Sequence, residues 1–246
     1  MDWHQSILIG VGFFLAGVVK GATGLGFSTS ALPLLTLAVG LHAAMPLVLI
    51  PSMASNAAVM IAAGHFRETL VRFGALYLAL LPGLAFGLAL LASVDQTIAA
   101  SILGLIIIAY AALALWHPNL ALPERLEARL LVPVGLVNGV VNGLTGSQIL
   151  PLVPFMLSLK LGPDQFIQAV NIGFTASSLV MMIGLSQAGL LTGHAFLISV
   201  LGVIPSVAGG FAGGLIRQRL PETAFRRFVL IVLTILGVIL ARPLFG

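Results

Sequence analysis

The sequence predicts an all-α, polytopic membrane helix bundle made of two inverted repeats of five segments each. Three observations predict this class: a strongly apolar composition, one glycine-rich motif in each half, and a reversed arrangement of arginines between the halves. Hydrophobic residues make up 59% of the chain and charged residues 7%, far below the roughly 25% of soluble domains. Because so little polar surface cannot cover a water-facing exterior, we expect lipid to be the solvent.

Ten apolar segments are predicted, five in each half. They cover about residues 6–22, 27–40, 43–64, 69–92 and 97–116, then about 130–146, 147–159, 164–187, 190–216 and 223–241. A helix needs about 20 residues to cross the hydrocarbon, and the second segment of each half is shorter. We therefore expect broken or re-entrant helices at the start of each half. The repeats are assigned to 1–116 and 130–246, joined by a cytoplasmic linker at 117–129 that contains Pro118 and Pro123.

The arginines indicate how the two halves are oriented. After the third segment, the first half has Arg67 and Arg72, whereas the second half has no charge. After the fourth segment the pattern reverses, because the first half has only Asp95. The second half there has four arginines: Arg217, Arg219, Arg226 and Arg227. Inverted repeats place all of these arginines on the cytoplasmic face, which predicts a bacterial inner-membrane protein with both termini in the periplasm.

Charge and cysteine content exclude several other classes. The net charge is +4, but the basic residues are scattered and form no patch, so we expect no nucleic-acid partner. The chain has no cysteine, which excludes disulfides, cysteine-ligated metals and thiol nucleophiles. We expect no cofactor and no metal. The oligomeric state stays open, and a homodimer is one option.

The most informative feature is a motif that occurs twice. Residues 17–24 read GVVKGATG and residues 139–146 read GVVNGLTG, so six of the eight positions are identical. Both copies lie in apolar sequence, where glycine clusters weaken a spanning helix. A duplicated membrane protein with a glycine-rich break in each half is typical of secondary transporters, and the breaks indicate where substrate binds.

The two breaks supply the candidate binding residues. We name residues 21–30 the first tip and residues 142–148 the second tip; inverted repeats would make them face each other near the bilayer midplane. Glycines expose backbone N–H groups and helix N-termini favour anions, so we expect a small anionic substrate. The candidate substrate-binding residues are Lys20, Gly21, Thr23, Gly24, Gly26, Ser28, Asn142, Gly143, Thr145, Gly146, Ser147, Gln148 and Asn171.

Each candidate also has a structural interpretation. The pairs Gly17–Gly21 and Gly139–Gly143 fit close helix contacts, as do Gly83–Gly87 and Gly209–Gly213, for which packing is favoured. The amides of Asn56, Asn138 and Asn171 can bond between helices.

The charged residues at the ends of the other segments are assigned to the seams, which leaves Lys20 as the one formal charge within the membrane. Insertion there costs on the order of 2.5–3.5 kcal/mol, so the lysine needs a partner or a cavity. No acidic residue lies well inside any segment, which favours an anionic ligand over a lysine that extends to the interface.

The chain resembles the TauE/SafE sulfite-exporter family of bacterial permeases. The resemblance covers the whole chain and lies on Gly21, Thr23, Gly24, Gly26 and Pro33, then on Gly143, Thr145, Gly146 and Pro151. It implies transport of sulfite, sulfoacetate or similar organosulfur anions across the cytoplasmic membrane.

Two other function classes compete with an anion permease. An intramembrane enzyme is the alternative, but the sequence has neither a Gly-x-Ser-Gly nucleophile nor a His-Glu-x-x-His motif. A purely structural scaffold does not explain an intramembrane lysine. The sequence leaves the substrate, the direction of transport and the coupling ion open.

Overall fold

A computed structural model describes residues 3–116, 121–219 and 222–245 of the chain. The helices in these ranges are α1 (Trp3–Thr23), α2 (Phe27–Val39), α3 (Leu41–Ala63), α4 (Phe66–Ser93), α5 (Gln96–Trp116), α6 (Glu124–Thr145), α7 (Leu152–Ser158), α8 (Pro163–Gln187), α9 (Gly193–Leu201), α10 (Val203–Arg217) and α11 (Glu222–Ala241). A short 3₁₀ helix, Arg242–Leu244, follows α11. Pro118, in the predicted linker, lies outside the described residues.

The predicted all-helical membrane bundle is confirmed. Eight helical stretches in the described ranges are long and apolar enough to cross a membrane, and α9 and α10 together form one of them. The predicted short segments correspond to α2, with 13 residues, and α7, with 7 residues. Both are shorter than the roughly 20 residues that a crossing requires.

Two boundaries differ from the sequence prediction. Helix α6 begins at Glu124, so the charged second part of the predicted linker is helical. Glu124 and Glu127 in its first turn favour this start, because acidic side chains interact well with a helix N-terminus. The fourth segment of the second half is divided at Gly202, where the ring of Phe13 packs so closely that a Cβ would collide with it.

Two helix pairs pack through glycines. A Cβ added at Gly17 would collide with the carbonyl of Ser206, and one at Gly21 with the carbonyl of Gly210. Contacts that move forward along α1 also move forward along α10, so the two helices run parallel. Small residues at such contacts let two backbones approach within van der Waals distance.

Helices α4 and α6 repeat this arrangement in the other half. A Cβ at Gly83 would meet the carbonyl of Leu136, and one at Gly87 that of Val140. These helices are therefore also parallel. The first helix of each half thus packs against the fourth helical segment of the other half.

The last helices of the two halves pack in opposite directions. Ser101 Oγ of α5 donates to Leu240 O of α11 at 3.0 Å, and Gly104 lies against Gly237. The residue numbers rise in α5 while they fall in α11, so the two helices are antiparallel.

Large apolar side chains face outward, and polar side chains are buried among apolar ones in the interior. Large side chains such as Phe211 and Phe86 face outward with 75% and 59% of their area exposed. By contrast, several asparagine, serine and threonine side chains are fully buried. This distribution is expected when lipid covers the outside and polar groups bond within the bundle.

Charged side chains join three segments at one end of the bundle. Arg72 forms a bidentate pair with Glu127, with nitrogen–oxygen distances of 2.8 and 2.9 Å. Lys160 lies 3.9 Å from Glu124, so the segment before α8 reaches the same end. The starts of α4, α6 and α8 are therefore neighbours.

Candidate functional site

The first tip is held by the Thr–Gly pair of the motif. Thr23 Oγ1 donates to Val19 O at 2.8 Å and accepts from the amide of Leu25 at 3.3 Å. Gly24 has φ of 76°, in the left-handed region, and its N–H donates to Lys20 O at 2.8 Å. A left-handed glycine after the last turn is a common way for a helix to end.

The second tip has the same local structure. Thr145 Oγ1 donates to Val141 O at 2.7 Å and accepts from the amide of Ser147 at 3.2 Å. Gly146 has φ of 74°, and its N–H donates to Asn142 O at 2.7 Å. The repeated Thr–Gly pair therefore ends the first helix of each half in the same way.

Gly21 and Gly143 serve helix packing. Gly21 lies against the backbone of Gly210, and Gly143 against the backbone of Leu84. Neither position leaves space for a ligand beside it. The packing interpretation therefore accounts for these two candidates, as it does for the pairs at 83–87 and 209–213.

Lys20 lies in the interior of the bundle, where 5% of its area is exposed. Its Nζ donates to Asn56 Oδ1 at 2.9 Å and to Asn171 Oδ1 at 2.7 Å. Asn171 Nδ2 in turn donates to Ile167 O at 2.7 Å, which orients its oxygen toward the lysine. We call Lys20, Asn56 and Asn171 the lysine cluster.

A small cavity lies between the two tips. It measures about 10 Å³, which is space for about one water molecule. Its polar lining comes from both halves: Ser28, Ser52, Asn142, Gln148 and Ser178, with Gly146 beside them.

Two hydrogen bonds tie this lining together. Ser28 Oγ donates to Ser52 Oγ at 2.8 Å, and Gln148 Nε2 donates to Ser178 Oγ at 3.0 Å. The first bond joins α2 to α3, and the second joins the second tip to α8. Each tip is therefore attached to the third helix of its own half.

Asn142 is the least satisfied polar group of the small cavity. It is completely buried, and neither its amide nitrogen nor its amide oxygen has a partner among the described residues. Gln148 Oε1 and Ser147 Oγ are also buried without partners. A buried polar group without a hydrogen bond costs about 1–3 kcal/mol, so such groups mark binding sites or strain.

The lysine cluster lies next to the small cavity. On α3, Ser52 of the cavity and Asn56 of the cluster are one turn apart and share a face. On α8, Ser178 of the cavity and Asn171 of the cluster are two turns apart. From the small cavity to the lysine cluster, residue numbers rise along α3 and fall along α8. The two helices are therefore antiparallel here.

A second, larger cavity also borders the first tip. It measures about 220 Å³. The first tip contributes Thr23, Gly26, Thr29 and Ser30, and Arg226 of α11 also lines it. Through Ser28 the first tip also lines the small cavity, so it borders both cavities.

The structure divides the predicted residues among four places. Lys20 and Asn171 meet in the lysine cluster, and Ser28, Asn142, Gly146 and Gln148 meet at the small cavity. Thr23 and Gly26 line the large cavity. Gly21 and Gly143 pack against neighbouring helices, while Gly24, Thr145 and Ser147 shape the tips.

Sequence reasoning gave Asn56 a secondary place and missed Ser52 and Ser178. Asn56 had a signal, since it is an amide inside an apolar helix. Ser52 and Ser178 had none, because serine is common in membrane helices and its partner depends on helix contacts.

The comparisons with known proteins agree with this architecture. The sequence model of the family described as Sulfite exporter TauE/SafE matches residues 8–240, nearly the whole chain. No curated protein and no solved structure matches the chain significantly. The family match includes both tips, the lysine cluster and both cavities, and the chain therefore belongs to the TauE/SafE sulfite exporter family.

Proposed function

We propose that this protein is a permease that moves small sulfur-containing anions, such as sulfite or sulfoacetate, across the bacterial cytoplasmic membrane. The observation that carries this proposal is that Lys20 is the only buried charged side chain among the described residues. Its positive charge has neutral amides as partners and no carboxylate. A bound anion would neutralise this charge within the bundle.

The donors near Lys20 suit an oxyanion. A lysine ammonium group has three N–H donors, and Asn56 and Asn171 accept two of them. The third can bond an anion without disturbing the cluster. The unpartnered amide nitrogen of Asn142, on the side of the small cavity, would add a neutral donor.

The substrate would move between the two tips, near the middle of the membrane. The small cavity is too small for a sulfur oxyanion, because it has space for about one water molecule. Occupation therefore requires the tips to separate. Because the first tip borders both cavities, a rocking of one half against the other would change access to the site and open it to one face at a time.

The packing directions support inverted repeats with re-entrant second segments. The corresponding helices α5 and α11 are antiparallel, and so are α3 and α8 at the site. Parallel contacts between α1 and α10 and between α4 and α6 fit the same pseudo-twofold relation. Together with the arginine pattern, this favours an inner-membrane protein with both termini in the periplasm.

The alternative of an intramembrane enzyme is less well supported, because the matching family is described as an exporter. The structure suggests no second function that a specific observation favours.

Substitution of Lys20 tests the proposal. We expect Lys20→Met to weaken binding of sulfite, sulfoacetate, thiosulfate or sulfate, whichever the parent binds, by at least about tenfold, since a charged hydrogen bond contributes about 1.5–3 kcal/mol. Lys20→Arg should keep part of the binding. Calorimetry on purified protein and flux into proteoliposomes measure this.

Lys160→Met is the matched control, because Lys160 is a solvent-exposed lysine near the charged end of the bundle. It should bind and transport like the parent protein. If folded Lys20→Met also binds and transports like the parent, Lys20 does not hold the substrate.

A further inference from the structure

The large cavity differs in chemistry from the small one. Most of its lining is aliphatic or aromatic, including Phe166, Phe174 and Leu233. Among the described residues of that lining, Arg226 is the only charged one. The cavity therefore combines one positive charge with extensive apolar walls.

Another part of the lining is the start of helix α2. Helix α2 begins after Gly26, which has φ of 85° and provides no side-chain cap. The first amides of a helix lack intrahelical acceptors and lie at the positive end of its dipole. Gly26, Thr29 and Ser30 bring this helix start to the cavity.

Ser30 is an independent sign of a ligand at this helix start. Its side chain is buried, with 5% of its area exposed, and its Oγ has no hydrogen-bond partner among the described residues. A buried hydroxyl in a membrane bundle normally finds a partner. A ligand in the cavity that Ser30 lines would provide one.

Arg226 is positioned to bring anions to this cavity. None of the ion pairs between described side chains involves Arg226. Its side chain is exposed near the start of α11, whereas Ser30, which lines the same cavity, is buried. An anion can therefore meet the arginine first and the buried donors afterwards.

We propose that the large cavity is a second anion-binding site, formed by Arg226, Ser30 and the start of α2. It holds a small, singly charged organic anion before the anion reaches Lys20. One cation compensates one negative charge, and a short apolar tail packs against the phenylalanine and leucine side chains. A doubly charged inorganic oxyanion leaves one charge uncompensated against apolar walls, which is unfavourable. The order of the two sites rests on the proposed permease function.

The test uses propane-1-sulfonate as the probe and Arg226→Gln as the variant. The matched control is Arg227→Gln, the adjacent exposed arginine on α11, which does not line the cavity. Both variants are made in the parent and in the Lys20→Met protein, so that the large cavity is measured without the central lysine. Calorimetry in nanodiscs gives affinity and stoichiometry.

We expect Lys20→Met alone to keep one binding event for propane-1-sulfonate. Adding Arg226→Gln should weaken this event about tenfold or more, in line with loss of a charged hydrogen bond. Adding Arg227→Gln should change it less than twofold, and Ser30→Ala should weaken it a few fold. Sulfate should bind the large cavity more weakly than propane-1-sulfonate.

The outcomes separate the two proposals. If Arg226→Gln binds propane-1-sulfonate like Arg227→Gln in the Lys20→Met background, the second site is refuted while the central site is unaffected. If Lys20→Met leaves all binding and transport unchanged and Arg226→Gln weakens binding, the permease site at Lys20 fails and the second site stands. A cavity filled by a lipid acyl chain that propane-1-sulfonate does not displace would also refute the second site.

Transport gives a separate readout. In vesicles of defined orientation, Arg226→Gln should raise the KM for anion added on the face that bears Arg226 by about tenfold, with kcat little changed. The KM for anion added on the opposite face should stay the same. An equal rise of KM on both faces would mean that Arg226 acts on the folded protein as a whole and not on an access site.

Discussion

Because the side-chain amide of Asn142 has no partner among the described residues, we predict that replacing it raises stability and lowers transport. Asn142 lies on α6 and lines the small cavity, and neither of its amide atoms has a partner among the described residues. Asn142→Leu removes both atoms, and the cavity gives the methyl groups some room. Because no hydrogen bond is lost, we expect the substitution to stabilise the ligand-free protein.

The magnitude follows from the unpaired atoms. A buried polar group without a partner costs about 1–3 kcal/mol, and crowding by the larger leucine offsets part of the gain, since overpacking costs about 1–3 kcal/mol. We therefore expect the free energy of unfolding to rise by up to about 2 kcal/mol. For a chain of this size, about 1 kcal/mol corresponds to a rise in Tm of roughly 2–4 °C.

Asn138→Leu is the control, one turn earlier on the same helix. Asn138 Nδ2 donates to Gln148 O at 3.0 Å and to Leu150 O at 2.9 Å, so it holds the second tip. Its loss leaves two carbonyls without this donor, at about 1–3 kcal/mol each. We therefore expect Asn138→Leu to lower Tm where Asn142→Leu raises it or leaves it unchanged.

The assay is thermal unfolding in detergent, measured beside anion flux into proteoliposomes. Asn142→Leu should reduce flux by at least about tenfold despite its equal or greater stability, because the donor on the cavity side is lost. If Asn142→Leu destabilises the protein as much as Asn138→Leu does, Asn142 has a structural partner and the reasoning fails. Undiminished flux in a stable Asn142→Leu protein would remove Asn142 from the substrate path.

Three further predictions concern the tips, pH and topology. Gly143→Ala should reduce the yield of extracted protein far more than Gly24→Ala. A Cβ at residue 143 would collide with the backbone of Leu84, whereas a Cβ at residue 24 has space and is opposed only by the positive φ of the backbone. Similar yields of the two variants would contradict this packing. The backbone N–H of Thr97 donates to the Asp95 carboxylate and holds its pKa below its ordinary range. The ionised carboxylate therefore stabilises the folded protein above about pH 4, and this stabilisation is lost as the pH falls further. In Asp95→Asn, Tm should fall less between about pH 4 and lower pH than it does in the parent protein. If Tm of the variant and of the parent depend on pH in the same way, Asp95 does not contribute to acid stability. Alkaline phosphatase fused to the C-terminus should be active, since we expect a periplasmic terminus; an inactive fusion of normal yield would contradict that orientation.

Composition, segment lengths and the repeated motif were enough to predict the class of the protein and the main divisions of its chain. Hydrophobic blocks and their seams predicted the helices closely, because any segment that crosses lipid must satisfy its own backbone and remain apolar for about 20 residues. The repeated motif located both tips, and its Thr–Gly pairs act locally, since Thr23 and Gly24 bond within a few residues of themselves. Such short-range features can be predicted without knowledge of the neighbouring helices.

What each motif residue faces depends on how the helices pack against one another. Lys20 bonds Asn56 and Asn171, which are 36 and 151 residues away, and Gly21 packs against α10. Hydrophobic periodicity could not predict these contacts, because lipid makes the outside of each helix as apolar as its packed side. The sequence also could not predict that Arg226 lines a cavity, because a charge at the end of a helix is expected at any membrane interface. Only the packing of α11 beside the first tip places Arg226 there. In a membrane bundle, therefore, sequence determines where helices lie along the chain, while the contacts between their faces determine the site.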